Sequence, residues 1–211
     1  MKDVMPVPTV STIELFPLLG DETVLLPDYS YAYGNLPPHE LELLCRIALY
    51  RQPKRIFEFG TYLGETTRHL AHYSEATVYT IDLYPPGHPQ YRHQEVVDAQ
   101  SDVVPSSPGA RFLDTAEARQ ITQIWGDSRC FDFSEFASSI DFALIDANHN
   151  YDYVLSDSRN VLSMIAPGGI VFWHDYASYA PGVMKAVNEV SEEVSIFHLA
   201  ETFLAVHLDD R

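Results

Sequence analysis

Cysteine is nearly absent: the 211-residue chain has two, Cys45 and Cys130. Two such residues make no disulfide framework, and their separation matches no metal-ligand spacing. Both are expected to be buried as small apolar groups. Positive charge is also scarce, with 13 Lys and Arg against 30 Asp and Glu and a net charge of −17. That sign repels phosphate backbones and anionic lipid, so the expectation is no nucleic acid and no membrane partner. No run approaches the roughly 18 apolar residues of a membrane span. The N-terminus, with Asp3 and Pro6, lacks the basic and then apolar pattern of a secretory leader, so a cytoplasmic protein is expected. What the chain does have is 46% apolar residues and a length suited to one domain with a full core.

Residues 1–37 contain Pro6, Pro8, Pro17, Pro27 and Pro37 without clear periodicity, which reads as an irregular N-terminal arm with room for one short helix. From Pro38 the pattern changes. Leu41, Leu44, Cys45 and Ala48 fall at helical spacing, the paired prolines suit a helix start, and Pro53 ends it. Apolar runs at 56–59, 78–82, 121–125, 140–146 and 170–173 then read as strands. Helical patterns at 66–73, 153–165 and 183–194 lie between them, and a Pro-Gly-Gly breaker occupies 167–169. The last runs, 195–199 and 203–208, suit an antiparallel hairpin. This alternation predicts an α/β fold: a Rossmann-like, doubly wound, mostly parallel seven-stranded sheet with a C-terminal antiparallel hairpin. The domain spans 38–211, with an insertion at 84–111 rich in proline. A long insertion after the second strand lies at the ligand end of such a sheet, where a lid, a substrate loop and a passive excursion are all open readings.

The segment 55–67 is the most informative. An apolar run ends in Glu58, Phe59 and Gly60, a second glycine follows at Gly64, and Thr66 and Thr67 open a helix. A strand running through a glycine turn into a helix N-terminus offers bare backbone and unpaired N–H groups to a ligand. The turn reads Gly-x-x-x-Gly and lacks the middle glycine of the dinucleotide fingerprint, which takes support from a pyrophosphate ligand. Asp82 ends the second strand roughly 20 residues on, where an acid commonly takes ribose hydroxyls; a turn cap is the other reading. Gly126, Asp127 and Ser128 follow the third strand and could flank an adenine.

These motifs, from Glu58 through Gly60, Tyr62 and Gly64 to Thr66, resemble the first motif of class I S-adenosylmethionine-dependent methyltransferases, in the version found in the catechol O-methyltransferase-like branch. The segments 142–151, with Asp146, His149 and Tyr151, and 166–176, with His174, Asp175 and Tyr176, resemble a bacterial small-molecule methyltransferase group carrying Asp-x-x-His-x-Tyr and His-Asp-Tyr. The resemblance covers about residues 40–208, leaving out the arm and the insertion. It implies that Gly60, Tyr62, Gly64 and Thr66 contact the methionine part of S-adenosylmethionine and that Glu58 supports the turn. It also implies that Asp82 holds the ribose and that Gly126, Asp127 and Ser128 surround the adenine. A sulfonium cofactor without phosphates is compatible with an acidic pocket.

Asp146 and Asp175 close the fourth and fifth strands. On adjacent parallel strands, two carboxylates would share one rim and suit Mg²⁺ or a similar divalent cation. Such an ion could activate an acceptor hydroxyl. His149, three residues after Asp146, stands where the catechol-type enzymes have their basic residue, and is the expected general base. His174 is a further metal ligand or a second base. The catechol branch follows its second metal aspartate with asparagine, whereas this chain has Tyr176, which leaves the third protein ligand open between His174 and none. Tyr151 and Tyr176 are candidates for the acceptor pocket or for packing. The expected activity is O-methylation of a small-molecule acceptor. A hydroxylase on the same fold, a non-catalytic cofactor-binding protein and, least favoured, a dinucleotide oxidoreductase are the rivals. A homo-oligomer is compatible with the arm.

Overall fold

The computed structural model describes residues 6–20, 23–32, 34–90, 105 and 107–211. Among the described residues, eight strands form one sheet: β1 (Thr9–Val10), β2 (Arg55–Phe59), β3 (Thr77–Asp82), β4 (Ile121–Trp125), β5 (Ile140–Ile145), β6 (Ile165–Trp173), β7 (Phe197–Leu199) and β8 (Ala205–Leu208). Their order across the sheet is β1-β7-β8-β6-β5-β2-β3-β4. All pairs are parallel except β6–β8 and β7–β8, the C-terminal hairpin. The helices are α1 (Thr12–Leu15), α2 (Pro38–Arg51), α3 (Glu65–His72), α4 (Tyr151–Met164) and α5 (Pro181–Val190). Among the described residues, no helix is long and apolar enough to cross a membrane.

The sheet has one strand more than expected, and the extra strand comes from the arm. Val10 and Thr9 pair in parallel with β7, and α1 follows behind a reciprocal capping box between Ser11 and Glu14. The repeated prolines of the arm hid a two-residue strand too short to have a period. β6 also begins earlier than expected, at Ile165, because Gly168, with φ 77°, lets the chain turn within the strand. Cys45 is buried as expected, but Cys130 is exposed, because it stands in the turn after β4. Residues 91–104 and 106, the middle of the expected insertion, lie outside the described residues.

Alternate side chains of the central strands feed two cores, as buried parallel strands require. Phe57, Phe59, Ala143, Ile145, Val171 and Trp173 pack with Val154 and Val161 of α4 and Val183 and Val187 of α5. Ile56, Val78, Phe142, Leu144, Ile170 and Phe172 pack on the other face with Leu41, Leu44 and Ile47 of α2 and Leu70 of α3. The chain runs outward from β2 through β3 to β4, then returns to place β5 on the other side of β2. That reversal puts a crevice beyond the carboxyl ends of β2 and β5, the usual ligand position in an open α/β sheet.

Candidate functional site

The loops leaving the central strands start level with one another because each is tied to a neighbouring strand. The Gly60 amide donates to the Ile81 carbonyl and the Gly126 amide to that of Asp82. Likewise, the Asp146 amide donates to Phe59 and the His174 amide to Ile145. Side chains just beyond these points share one rim. A cavity of about 720 Å³ opens over it.

On the β2–β4 side, the glycines also allow close packing of the strand ends and the turn. A Cβ on Gly60, where φ is 96°, would stand 2.1 Å from the Asp146 carbonyl oxygen, so this glycine lets the β2 and β5 ends close on each other. Gly60 still lines the cavity. Gly64 does not line it. A Cβ there would meet the Phe112 ring at 2.5 Å, and the Gly109 and Arg111 amides donate to the carbonyls of Tyr62 and Leu63. The returning end of the insertion therefore covers this part of the turn. Thr66 is buried and is also outside the cavity lining.

Glu58 lies beneath the turn, 2% exposed, and accepts hydrogen bonds from the hydroxyls of Thr67 and Thr80. Burial pushes its carboxyl up to about 8, so it is neutral near pH 7. Asp82 reaches the cavity wall. Its Oδ2 accepts from the amides of Thr61 and Tyr62 at 3.1 and 2.9 Å, and its Oδ1 from Leu83 at 2.7 Å. The same carboxylate thus shapes the turn and faces the ligand space. Asp127 also lines the cavity, held by Arg129 at 3.0 Å, and the Arg129 guanidinium lies 3.9 Å from the Tyr153 ring centroid. Gly126, Ser128 and Tyr153 complete this end.

On the β5–β6 side, three of the expected reacting groups converge. One ligand atom from each of Asp146, His149 and Asp175 can be chosen so that all lie within 4.8 Å of one another. His149 Nε2 is 2.6 Å from Asp175 Oδ2. Asp175 adopts φ 58°, a left-handed conformation uncommon for a residue with a Cβ. Burial would raise its pKa, but hydrogen bonds from His149 and His174 outweigh that and hold the carboxyl well below the usual range. Tyr179 also donates to it.

His174 stands behind this cluster, 9% exposed. Its Nδ1 is 3.0 Å from Asp146 Oδ1 and 3.3 Å from Asp175 Oδ2, and its Nε2 is 2.9 Å from Glu40 Oε2. Burial opposes its charge, yet these carboxylates raise its pKa well above the ordinary histidine value. With both ring nitrogens facing carboxylates, the ring is a doubly donating clamp in this arrangement. Tyr151 and Tyr176 do not line the cavity: the first donates to Glu189, the second to Asn188.

Several lining residues escaped the sequence reading. Tyr31, Asn35 and Pro37 come from the arm, and Tyr179 and Phe203 from loops after β6 and β7. Glu40 escaped too, although a signal existed: it shares the buried face of α2 with Leu41, Leu44 and Ile47, an unusual place for an acid. No Lys or Arg is among the described lining residues, whereas four Asp are.

A family model described as a methyltransferase domain matches residues 57–176, more than half of the chain. No match was found among curated proteins. Among solved structures, the O-methyltransferase TomG from Streptomyces achromogenes, involved in tomaymycin synthesis and captured with SAM, is similar at a TM-score of 0.57 and 16% identity, over 93% of this chain and 86% of that one. The SAH-bound methyltransferase PaMTH1 of Podospora anserina gives 0.60 and 14%, over 86% and 82%. CalS11, a TDP-rhamnose 3'-O-methyltransferase of calicheamicin biosynthesis, gives 0.54 and 22%, over 82% and 81%. At these identities the likeness establishes the shared fold.

Proposed function

The chain belongs to the methyltransferase-domain family, and from that premise we propose that it carries a methyl group from S-adenosylmethionine to a hydroxyl of a small molecule. The observation that carries this reading is the single cavity joining Tyr62, Asp82 and Asp127 at one end to Asp146, His149 and Asp175 at the other. Asp82 retains one acceptor site, on Oδ1, for a ribose hydroxyl after accepting three backbone amides. Asp127, Ser128 and Tyr153 flank the adenine, and Gly60 and Tyr62 face the methionine part. Glu58, Gly64 and Thr66 act from below by building the turn. The described lining residues, which include no lysine or arginine, suit a sulfonium cofactor better than a pyrophosphate.

The reaction is an in-line displacement. The acceptor oxygen bonds to the methyl carbon as the sulfur–methyl bond breaks, and S-adenosylhomocysteine leaves. His149 Nε2 faces Asp175, which orients the imidazole at the rim, and the imidazole is the proton acceptor of the acceptor hydroxyl. The protein contributes mainly orientation, because the sulfonium is already a good leaving group.

The donor set of Asp146, His149 and Asp175 fits a divalent cation in number and closeness; with an ion bound, His149 would be one of its ligands, and the proton-acceptor role belongs to the metal-free reading of the site. Two carboxylates and one imidazole suit Mn²⁺ better than Mg²⁺, which favours oxygen. His174, with both nitrogens engaged by carboxylates, is assigned to the clamp and not to the ligand set. A bound ion would supply Lewis acidity toward the acceptor hydroxyl.

Calorimetry with the full chain tests the cofactor. Micromolar binding of S-adenosylmethionine and S-adenosylhomocysteine is expected, with NAD bound far more weakly; the reverse order sinks the proposal. Labelled methyl transfer to a panel of hydroxyl compounds then identifies the acceptor. Turnover that is lost in EDTA and restored by Mn²⁺ supports the ion, whereas full turnover in EDTA removes it.

A further inference from the structure

One buried acid lies outside the family-matched region and is unexplained by cofactor binding. Glu40 is 0% exposed and sits in the first turn of α2, two residues after Pro38. Both of its oxygens are engaged. Oε2 accepts from His174 Nε2 at 2.9 Å, and Oε1 accepts from the Phe203 amide. Burying a carboxylate is costly unless it is paired and hydrogen-bonded, and the helix N-terminus adds favourable partial positive charge. Neither contact is local: one partner lies 134 residues away in sequence and the other 163.

The other side of His174 explains where this pairing leads. Its Nδ1 reaches both Asp146 and Asp175. Those carboxylates leave adjacent strands and would repel one another if nothing stood between them. The His174 ring bridges them from behind, while His149 and Tyr179 meet Asp175 from other directions. Phe203, fixed by the other Glu40 oxygen, lines the cavity beside Tyr179, their ring centroids 5.3 Å apart. The Phe203 carbonyl in turn accepts from the Tyr176 amide. One carboxylate therefore anchors both the reacting pair and the wall next to it.

We infer that Glu40 is a positioning residue of the reacting rim: through His174 it sets the spacing of Asp146 and Asp175, and through the Phe203 amide it fixes the adjoining cavity wall. This rests on the methyl-transfer reading of the same cavity. Glu40 touches neither end of the cofactor site, so its loss should be felt in turnover and not in cofactor affinity.

The test compares wild type with Glu40→Gln, which keeps the size but places an amide N–H₂ against one of the two donors. Exposed Glu42→Gln on the same helix is the control. Three quantities are read: S-adenosylhomocysteine affinity by calorimetry, the crystal structure of that complex, and turnover on the acceptor found with the panel. The expected result is affinity within twofold of wild type, loss of the His174 contacts to Asp146 or Asp175, and kcat lowered at least tenfold. An unchanged rim, or kcat within twofold of wild type, overturns the inference. A double-mutant cycle adds a readout that a general packing defect would not give. If Glu40 acts through His174, Glu40→Gln adds little to the kcat loss of His174→Gln. Should Glu40→Gln not fold, His174→Gln severs the same link from the other side, and its crystal structure must then show Asp146 and Asp175 apart. Wild type that binds no S-adenosylhomocysteine would defeat the cofactor reading instead, and the rim geometry of the variants would still decide the role of Glu40.

Discussion

The two ends of the cavity are built in different ways. The β2–β4 end is made mostly of backbone and short-range contacts: a turn of five residues, an aspartate capping that turn, and a second acid held by the arginine two residues later. The β5–β6 end is made of polar and charged side chains drawn from three separate parts of the chain, with Glu40, Asp146, His149, His174 and Asp175 in one continuous hydrogen-bonded set. A grip on a constant cofactor can be local and rigid. A reacting rim that must fit an acceptor is assembled at long range, so changes in distant loops can reach it.

The most severe break of this contrast is at His149. Replacing His149 with Ala should lower kcat by roughly 10²–10⁴ while S-adenosylhomocysteine affinity stays within twofold, since general-base groups contribute about that much. Calorimetry beside single-turnover kinetics separates the two quantities. A cofactor affinity that fell in step with kcat would mean the two ends are not independent.

Gly60 is where the ends meet. A methyl group there meets the Asp146 carbonyl oxygen at 2.1 Å, and φ of 96° is unfavourable for any side chain. Gly60→Ala should cost about 3 kcal/mol in urea unfolding and reduce both affinity and turnover. A variant as stable as wild type would show that the β2 and β5 ends are free to part. Asp82→Ala touches one end alone. Removing the acceptor of three backbone amides and the proposed ribose partner should weaken S-adenosylhomocysteine binding by roughly 10–100-fold. At saturating cofactor, kcat should be nearly unchanged.

The same contrast governs what could be read from the sequence. Strand and helix alternation was legible because continuous apolar runs and helical stripes are local patterns, and β4 falls on the expected residues, 121–125. The carboxyl-end rim followed from the strand ends, and Asp82, Asp127, Asp146, His149 and Asp175 do line one cavity. The purpose of the glycines was not legible. Gly60 yields to a carbonyl 86 residues away and Gly64 to the Phe112 ring, and neither neighbour leaves a trace near residue 60. The clamp around His174 was illegible for the same reason, because its partner Glu40 lies far off in α2 and Phe203 in a loop near the C-terminus. Periodicity reports which face is buried; it does not report which buried acid meets which buried histidine.

The smallest expected effect concerns pH and the floor of the cofactor end. Burial raises Glu58 from 4.5 to about 8 in the folded protein, whereas the unfolded chain ionises near the ordinary value. Between those two limits the native state binds more protons than the unfolded state, so stability falls as pH rises from about 4.5 to about 8 and then levels off. Burial likewise pushes Asp157 up to about 7, giving a slope of the same sign over a lower window. Glu58→Gln removes only the first contribution, since its amide oxygen can still accept from Thr67 and Thr80. Urea midpoints at pH 6 and pH 9 should therefore differ less in the variant than in wild type, with the variant gaining relative stability at pH 9. The turnover ratio of the two proteins at pH 7 should stay near one, because Glu58 supports the turn from below and is remote from the proton transfer at His149. An unchanged pH dependence of the midpoint would mean that Glu58 is already ionised beneath the turn, and that the cofactor end, like the reacting end, is held by charge.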